Sequence, residues 1–170
     1  MEFTELAKKR YSVRKYAQKP IEEDKLKEII EAGRVAPTAR NLQSQKVYVI
    51  ESKEGLAKIA ECSGCTFGAP VVFMFGYDTD IESYDIDTDD HMGSVDADIV
   101  QTHMMLAAAD LGLGTCWVKL FDAKAARRAF GIPKNIKLTS LMPCGYPAED
   151  AAPSSMHSSI RPLEETVEFL

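Results

Sequence analysis

Long apolar runs are missing from this 170-residue chain. Its best continuous stretch, Val71 to Phe75, falls far short of the roughly 20 residues that a membrane-crossing helix needs. Positive charge is also scarce, with 20 Lys and Arg against 26 Asp and Glu and a formal net charge of −6. That balance argues against nonspecific nucleic-acid binding, which depends on a basic face that neutralises phosphates. The start, Met-Glu-Phe-Thr-Glu, lacks the basic-then-apolar pattern of a secretory leader. The four cysteines, Cys62, Cys65, Cys116 and Cys144, are therefore expected to be reduced thiols in a cytoplasmic protein. No Gly-x-Ser-x-Gly elbow occurs, and His91, His103 and His157 have no partner set for a nucleophile triad. Internal repeats and linkers are absent too, so a single domain over residues 1–170 is the simplest organisation.

Three short patterns invite a function and fail on context. Gly112-Leu-Gly114 follows a predicted helix and opens a predicted strand, the reverse of a dinucleotide-binding turn, and reads as a helix C-cap. In the acidic stretch from Asp85, Asp90 and Asp96 stand where a calcium loop needs glycine and a bidentate glutamate. Cys62-Ser-Gly-Cys65 has metal or redox spacing, but Cys116 and Cys144 fall in predicted core strands, where a thiol acts as a small hydrophobe.

The periodicity predicts helices over residues 3–10 and 22–35, with Leu26, Ile29, Ile30 and Gly33 of the second on one face. Strands are predicted at 46–51, 70–76, 115–119 and 137–144, and further helices near 53–61, 93–111 and 122–130. On the helix over 93–111 the spacing puts Val95, Ile99, Thr102, Leu106 and Ala109 on one stripe, expected to be buried. Residues 78–98 hold nine acidic residues and no Lys or Arg, and their first part reads as an exposed acidic loop. Two helices ahead of any strand make an α+β sheet more natural than a regularly alternating layout.

What the chain does have is a local knot of cations. Six of its 20 Lys and Arg fall in the first 20 residues, centred on Lys8-Lys9-Arg10-Tyr11-Ser12-Val13-Arg14-Lys15. Paired guanidiniums with a hydroxyl between them suit a fixed phosphoester, although a solvated helix end would carry the same residues. A proline-started loop, Pro37-Thr38-Ala39-Arg40-Asn41-Leu42-Gln43, and a distant Arg161 complete a dispersed polar set. It suits an anionic ligand with a polar chain and a planar head.

These residues resemble the FMN-dependent nitroreductase family, in a short form. The matching segments run in order through Lys9–Tyr16, Ala32–Gln43, Ala69–Phe73, Asp96–Val118, Cys144–Pro147 and Arg161–Glu165. The resemblance implies an α+β, three-layer fold with a central mixed sheet flanked by helices, in a domain-exchanged homodimer. Residues 148–170 would be a C-terminal arm packing on the partner subunit, and FMN would sit at the subunit interface. Arg10 and Arg161 would hold the phosphate, with Tyr11 beside them; Ser12 and Arg14 would reach the ribityl chain and the pyrimidine edge. Pro37, Thr38, Ala39, Asn41 and Gln43 would come from the other subunit, and Trp117, Val118 and Lys119 would add further contacts. Relative to the family pattern, Thr38 replaces a serine, Ser44-Gln45 replaces Pro-Trp, and Ser159 replaces a base.

The activity implied is FMN-dependent oxidoreduction without a catalytic side chain or metal. NADH or NADPH would deliver hydride, and a nitroaromatic, quinone or similar small acceptor would follow in a ping-pong cycle. A flavin-holding or ligand-sensing dimer without turnover is the alternative, and an anion-binding regulatory domain without flavin is a third. Neither a nucleic acid nor a membrane is an expected partner.

Overall fold

The computed structural model describes residues 2–85, 87 and 89–170. The helices are α1 (Phe3–Lys9), α2 (Glu23–Arg34), α3 (Lys53–Cys62), α4 (Met92–Asp110) and α5 (Ala123–Phe130). The strands are β1 (Gln45–Ile50), β2 (Val71–Asp78), β3 (Tyr84–Asp85), β4 (Asp90–His91), β5 (Gly114–Thr115) and β6 (Ile136–Gly145). The expected order of elements holds, with β1 and β2 displaced by a residue or two. The strand expected over 115–119 is shorter: after β5 it keeps only a bridge from Val118 to Leu141. The acidic segment contains the small β3–β4 hairpin, and Ile86 and Thr88 of that segment lie outside the described residues.

The main sheet has the order β1-β2-β6-β5. Its named strands pair antiparallel throughout, and the parallel component of the expected mixed sheet is the isolated bridge between Ser12 and Thr115. At the centre lies β2, which reads as one apolar run because both its faces are covered. Val71, Phe73 and Phe75 point into a core with α2 and α4, while Val72 and Met74 join α3, α5, Ile136, Leu138 and Leu141 on the other side. The alternation of side chains along a strand thus produces three layers.

The turn out of α4 works as read. Gly112 takes φ +77°, its N–H donates to Ala109 O, and Leu113 N–H donates to Ala108 O. Asp122 caps α5 by accepting from Lys124 N and Ala125 N. No helix among the described residues is long and apolar enough to cross a membrane.

One expectation is overturned. The core face of α4 is Gly93, Ala97, Val100, Gln101, Met104 and Ala108, not the Val95–Ala109 stripe. Val95 is 49% exposed, and Ile99, Thr102, Leu106 and Ala109 are only partly covered. The helix is apolar nearly all the way round, so its composition cannot say which stripe faces inward. Small residues decide: at Gly93 an added carbon would stand 2.2 Å from the Tyr77 ring, so only the glycine side can lie against the sheet.

Two features tie the N-terminal segment to this framework. Gly114 lies so close to Val13 that a Cβ would fall 2.4 Å from Val13 Cγ2. At the start of α2, the Tyr146 hydroxyl donates to Glu22 at 2.6 Å, and Lys19 stands 3.3 Å from the same carboxylate. These two donors hold the Glu22 carboxyl well below its usual range, at about 2, with the Tyr146 bond the larger cause. Because the folded pKa is depressed, this contribution is complete above the unfolded value of 4.5 and fades as pH falls through about 2.

Gly114→Ala is expected to cost about 1–3 kcal/mol in urea unfolding, by overpacking against Val13; an unchanged midpoint would contradict that packing. Comparing the chain with Tyr146→Phe across pH 2 to 7 tests the second tie. Their stability difference is expected to be constant above about pH 5 and to shrink below it.

Candidate functional site

The cation cluster sits where α1 ends. Arg10 is the C-cap residue of α1, and the chain then runs extended through Ser12, bonded to β5 by Val13 N–H to Thr115 O at 2.9 Å. Arg14 Nη1 donates only to Ser12 O, at 3.3 Å, and neither Arg10 nor Arg14 has a carboxylate within ion-pair distance among the described residues. Two guanidiniums four residues apart without such a carboxylate partner suit an external anion.

Two concavities flank this segment. One, of about 190 Å³, is lined by Arg10, Tyr11 and Val13 together with Ala109 and the 112–115 turn. The other, about 310 Å³, is lined by Ser12, Arg14 and Lys15 on one side and by Asp150, Ala151 and Ser154 on the other. The far wall is held by an ion pair from Lys15 to Asp150 at 2.5 Å and by the Tyr11 hydroxyl on Ala151 O at 3.4 Å. Lys15 and Asp150 were not legible as site residues, since their pairing spans 135 positions.

Beyond β5 the chain runs back along α4. Trp117 lines one shallow concavity with Val95, Ile99, Thr102 and His103, and Lys119 Nζ reaches Asp98 at 3.3 Å. Val118 between them is turned into the core, with its N–H and carbonyl both bonded to Leu141. Outward-facing side chains on this stretch are therefore Trp117 and Lys119.

Buried thiols surround the same strand. Burial is the main cause that pushes the Cys116 thiol up, and it pushes Cys144 up to about 12. Neither is a thiolate at neutral pH, which suits their reading as small hydrophobes. All four cysteines are free, and no group of three or more His, Cys, Asp or Glu among the described residues could hold a metal.

The loop from Pro37 docks elsewhere. Ala39 N–H donates to Asp96 Oδ1 of α4 at 2.8 Å, and Gln43 N–H donates to Thr38 Oγ1 at 3.1 Å. Arg40, Asn41 and Gln43 take φ of 54°, 55° and 53°, a left-handed conformation that costs of order 1 kcal/mol at such residues. Gln43 Nε2 reaches Asn41 Oδ1 at 3.3 Å, so both amides sit on the exposed side of the turn. In the sequence Asp96 figures only in a matching segment and at the misfit twelfth place of a calcium loop. The signal for it was a lone acid on the glycine side of an apolar helix.

Arg161 stands apart. It belongs to a tail in which every residue from Ser155 onward is exposed, and it pairs with Glu165 at 2.9 Å. Met156, Ile160, Leu163 and Phe169 of that tail are all uncovered.

One copy of the chain thus places Arg10, Tyr11, Ser12 and Arg14 on one segment by the Ala109 end of α4, and Trp117 and Lys119 farther along the helix at Asp98. It does not bring Pro37–Gln43 to them. Asp96 and Asp98 are about 200° apart around the helix, so the loop and Lys119 lie on opposite sides. Along the axis, Asp96 and the Arg10 end at Ala109 are separated by about 20 Å.

Known proteins share this fold. The profile of the Nitroreductase family matches residues 7–67 and 62–146. A nitroreductase family protein of Clostridium difficile 630 is 34% identical, with a TM-score of 0.93 over 99% of this chain and 98% of that one. An FMN-dependent nitroreductase of Clostridium difficile R20291 is 26% identical, with a TM-score of 0.81 over 96% of each chain. A protein of Archaeoglobus fulgidus, provisionally named NADH dehydrogenase/NAD(P)H nitroreductase, is 30% identical over 83% of each chain. The chain belongs to the nitroreductase family, and with it to the NAD(P)H-dependent oxidoreductases.

Proposed function

We propose that the chain works as a cytoplasmic homodimer that holds FMN between its subunits and reduces small oxidised acceptors with NADH or NADPH. One observation carries this reading: the two halves of the polar set occupy opposite flanks of a helix whose outward stripe is apolar. A second copy lying antiparallel on that stripe would cover Val95, Ile99, Thr102 and Leu106. It would also carry its own Pro37–Gln43 loop to the Arg10–Arg14 segment of the first. Two-fold symmetry then makes two equal sites from one contact. Residues 148–170 would be the second strap, exposed from Ser155 onward, with Met156, Ile160, Leu163 and Phe169 open to a partner.

The residues suit FMN by their chemistry. Arg10 offers an unneutralised fork for the phosphate, with Arg161 delivered by the arm. Ser12 and Arg14 line the neighbouring cleft, where polar chain and ring edge need donors. Arg14 also brings positive charge to a half-enclosed place, which favours negative charge on a bound ring. Pro37, Thr38, Ala39, Asn41 and Gln43 of the second subunit form the opposite wall, and the outward faces of Trp117 and Lys119 border it. Once bound, FMN supplies the redox chemistry between NAD(P)H and a nitroaromatic, quinone or similar acceptor that use the site in turn.

Among the described residues between β2 and α4, the short β3–β4 hairpin is the one regular element available to cover such a site. An open site and broad acceptor choice follow.

Anaerobic titration of the FMN-reconstituted protein is the test. NADH or NADPH is expected to bleach the flavin band, and a quinone or nitroaromatic to restore it, with one FMN per chain. Flavin that binds but is bleached by neither nicotinamide would leave a cofactor-holding dimer instead.

A further inference from the structure

Unmet polar groups gather at one place in this fold. Among the described residues, the buried side-chain atoms without a hydrogen-bond partner are Ser44 Oγ, Gln45 Oε1 and Asp96 Oδ2. Ser44 and Gln45 directly follow the Pro37–Gln43 turn, and Asp96 is the residue on which that turn rests. The same turn holds three of the five non-glycine residues with positive φ. Buried polar atoms are nearly always paired, so their concentration beside a strained turn calls for a physical reason.

Asp96 supplies it. The residue is 2% exposed, on the glycine-and-alanine side of α4, with Ala97 and Val100 of that face also buried. A carboxylate there is costly unless its oxygens have partners. Its Oδ1 accepts the Ala39 N–H at 2.8 Å, at the point where the chain enters the left-handed stretch. Within the turn, Gln43 N–H donates to Thr38 Oγ1 and Gln43 Nε2 to Asn41 O, beside the backbone bonds Asn41 N–H to Thr38 O and Leu42 N–H to Ala39 O. The Asp96 carboxylate ties the start of the turn to the helix, and the Thr38 hydroxyl bond lies at its close.

We infer that Asp96 is a positioning residue: it locks the Pro37–Gln43 turn into the shape that the cofactor wall requires. This rests on the reading of that turn as part of the FMN site. Asp96 touches neither the flavin nor the substrate in this proposal, and it acts through the Ala39 amide. The strain in Arg40, Asn41 and Gln43 is borne because the buried carboxylate over-determines the turn.

The test uses the full-length protein with Asp96→Ala and Asp96→Asn, and reads FMN affinity by flavin fluorescence, melting of the apoprotein, and amide exchange at Ala39. Asp96→Ala is expected to expose the Ala39 amide to exchange and to weaken FMN binding roughly ten- to hundredfold, the value of one bond to a charged acceptor. Asp96→Asn keeps an acceptor oxygen and is expected to stay within about threefold of the parent, since a neutral amide oxygen still takes the bond. Equal FMN affinity in Asp96→Ala and the parent would overturn the inference. So would a loss of melting temperature with affinity unchanged, which is the mark of a residue that only supports the fold. If Asp96→Ala fails to fold, a well-folded Asp96→Asn whose Ala39 amide exchanges freely while its FMN affinity equals the parent's would also overturn it. Failure of the parent itself to bind FMN would sink the functional reading, and is distinguished because the parent is titrated first.

Discussion

A helix with apolar residues on two faces cannot be satisfied by one neighbour, and α4 is such a helix, buried through Val100, Met104 and Ala108 and open at Val95 and partly at Ile99. Its inner stripe, through Val100, Met104 and Ala108, packs on Phe73 and Phe75 of β2. That contact sets the three layers and fixes the rotation of the helix. Everything on its flanks follows from that rotation: Asp96 faces the loop after α2, Asp98 faces Lys119, and Val95 and Ile99 face outward. The site is thus a consequence of how one helix is clamped to one strand.

The cations obey a second constraint. An acidic chain has many carboxylates with which to neutralise a cation, and it does so at Lys15, Lys19, Lys27, Arg34 and Lys58. Arg10 and Arg14 are left without such partners among the described residues. Exposed ion pairs contribute little to stability, so leaving these two cations bare costs the fold almost nothing, which suits the phosphate role proposed for Arg10. Fold and function make few conflicting demands here, except at the Pro37–Gln43 turn, where strain and unpaired polar atoms accumulate.

Much of the fold was legible because the signals were local. Pro20 and the Glu22-Glu23-Asp24 run mark the start of α2, Gly112 its counterpart at the end of α4, and Asp122 caps α5, all by chemistry within a few residues. The doubly buried β2 could be read from its unbroken apolar run. The facing of α4 could not, because its stripe of Val95, Ile99, Thr102, Leu106 and Ala109 is as apolar as the stripe that is buried. The same ambiguity is informative in hindsight, since two usable stripes on one helix are what an interface helix needs. Of the site, the arginines and the proline-started loop stood out by composition. Val118 did not show its inward direction, and Asp96 and the Lys15–Asp150 clasp depend on contacts between distant positions that no local pattern encodes.

The central claim is that each site is made from two chains, and subunit complementation tests it most directly. One variant would carry Arg10→Ala with Arg14→Ala, the other Thr38→Ala with Asn41→Ala, each binding FMN poorly by itself. Unfolded together and refolded, random reassortment of a two-fold dimer is expected to restore about one tight FMN site for every four chains. Each mixed dimer would then combine intact arginines from one chain with an intact loop from the other. No recovery of tight binding in the mixture, with mixed dimers shown to form, would place the whole site within a single chain and contradict the account.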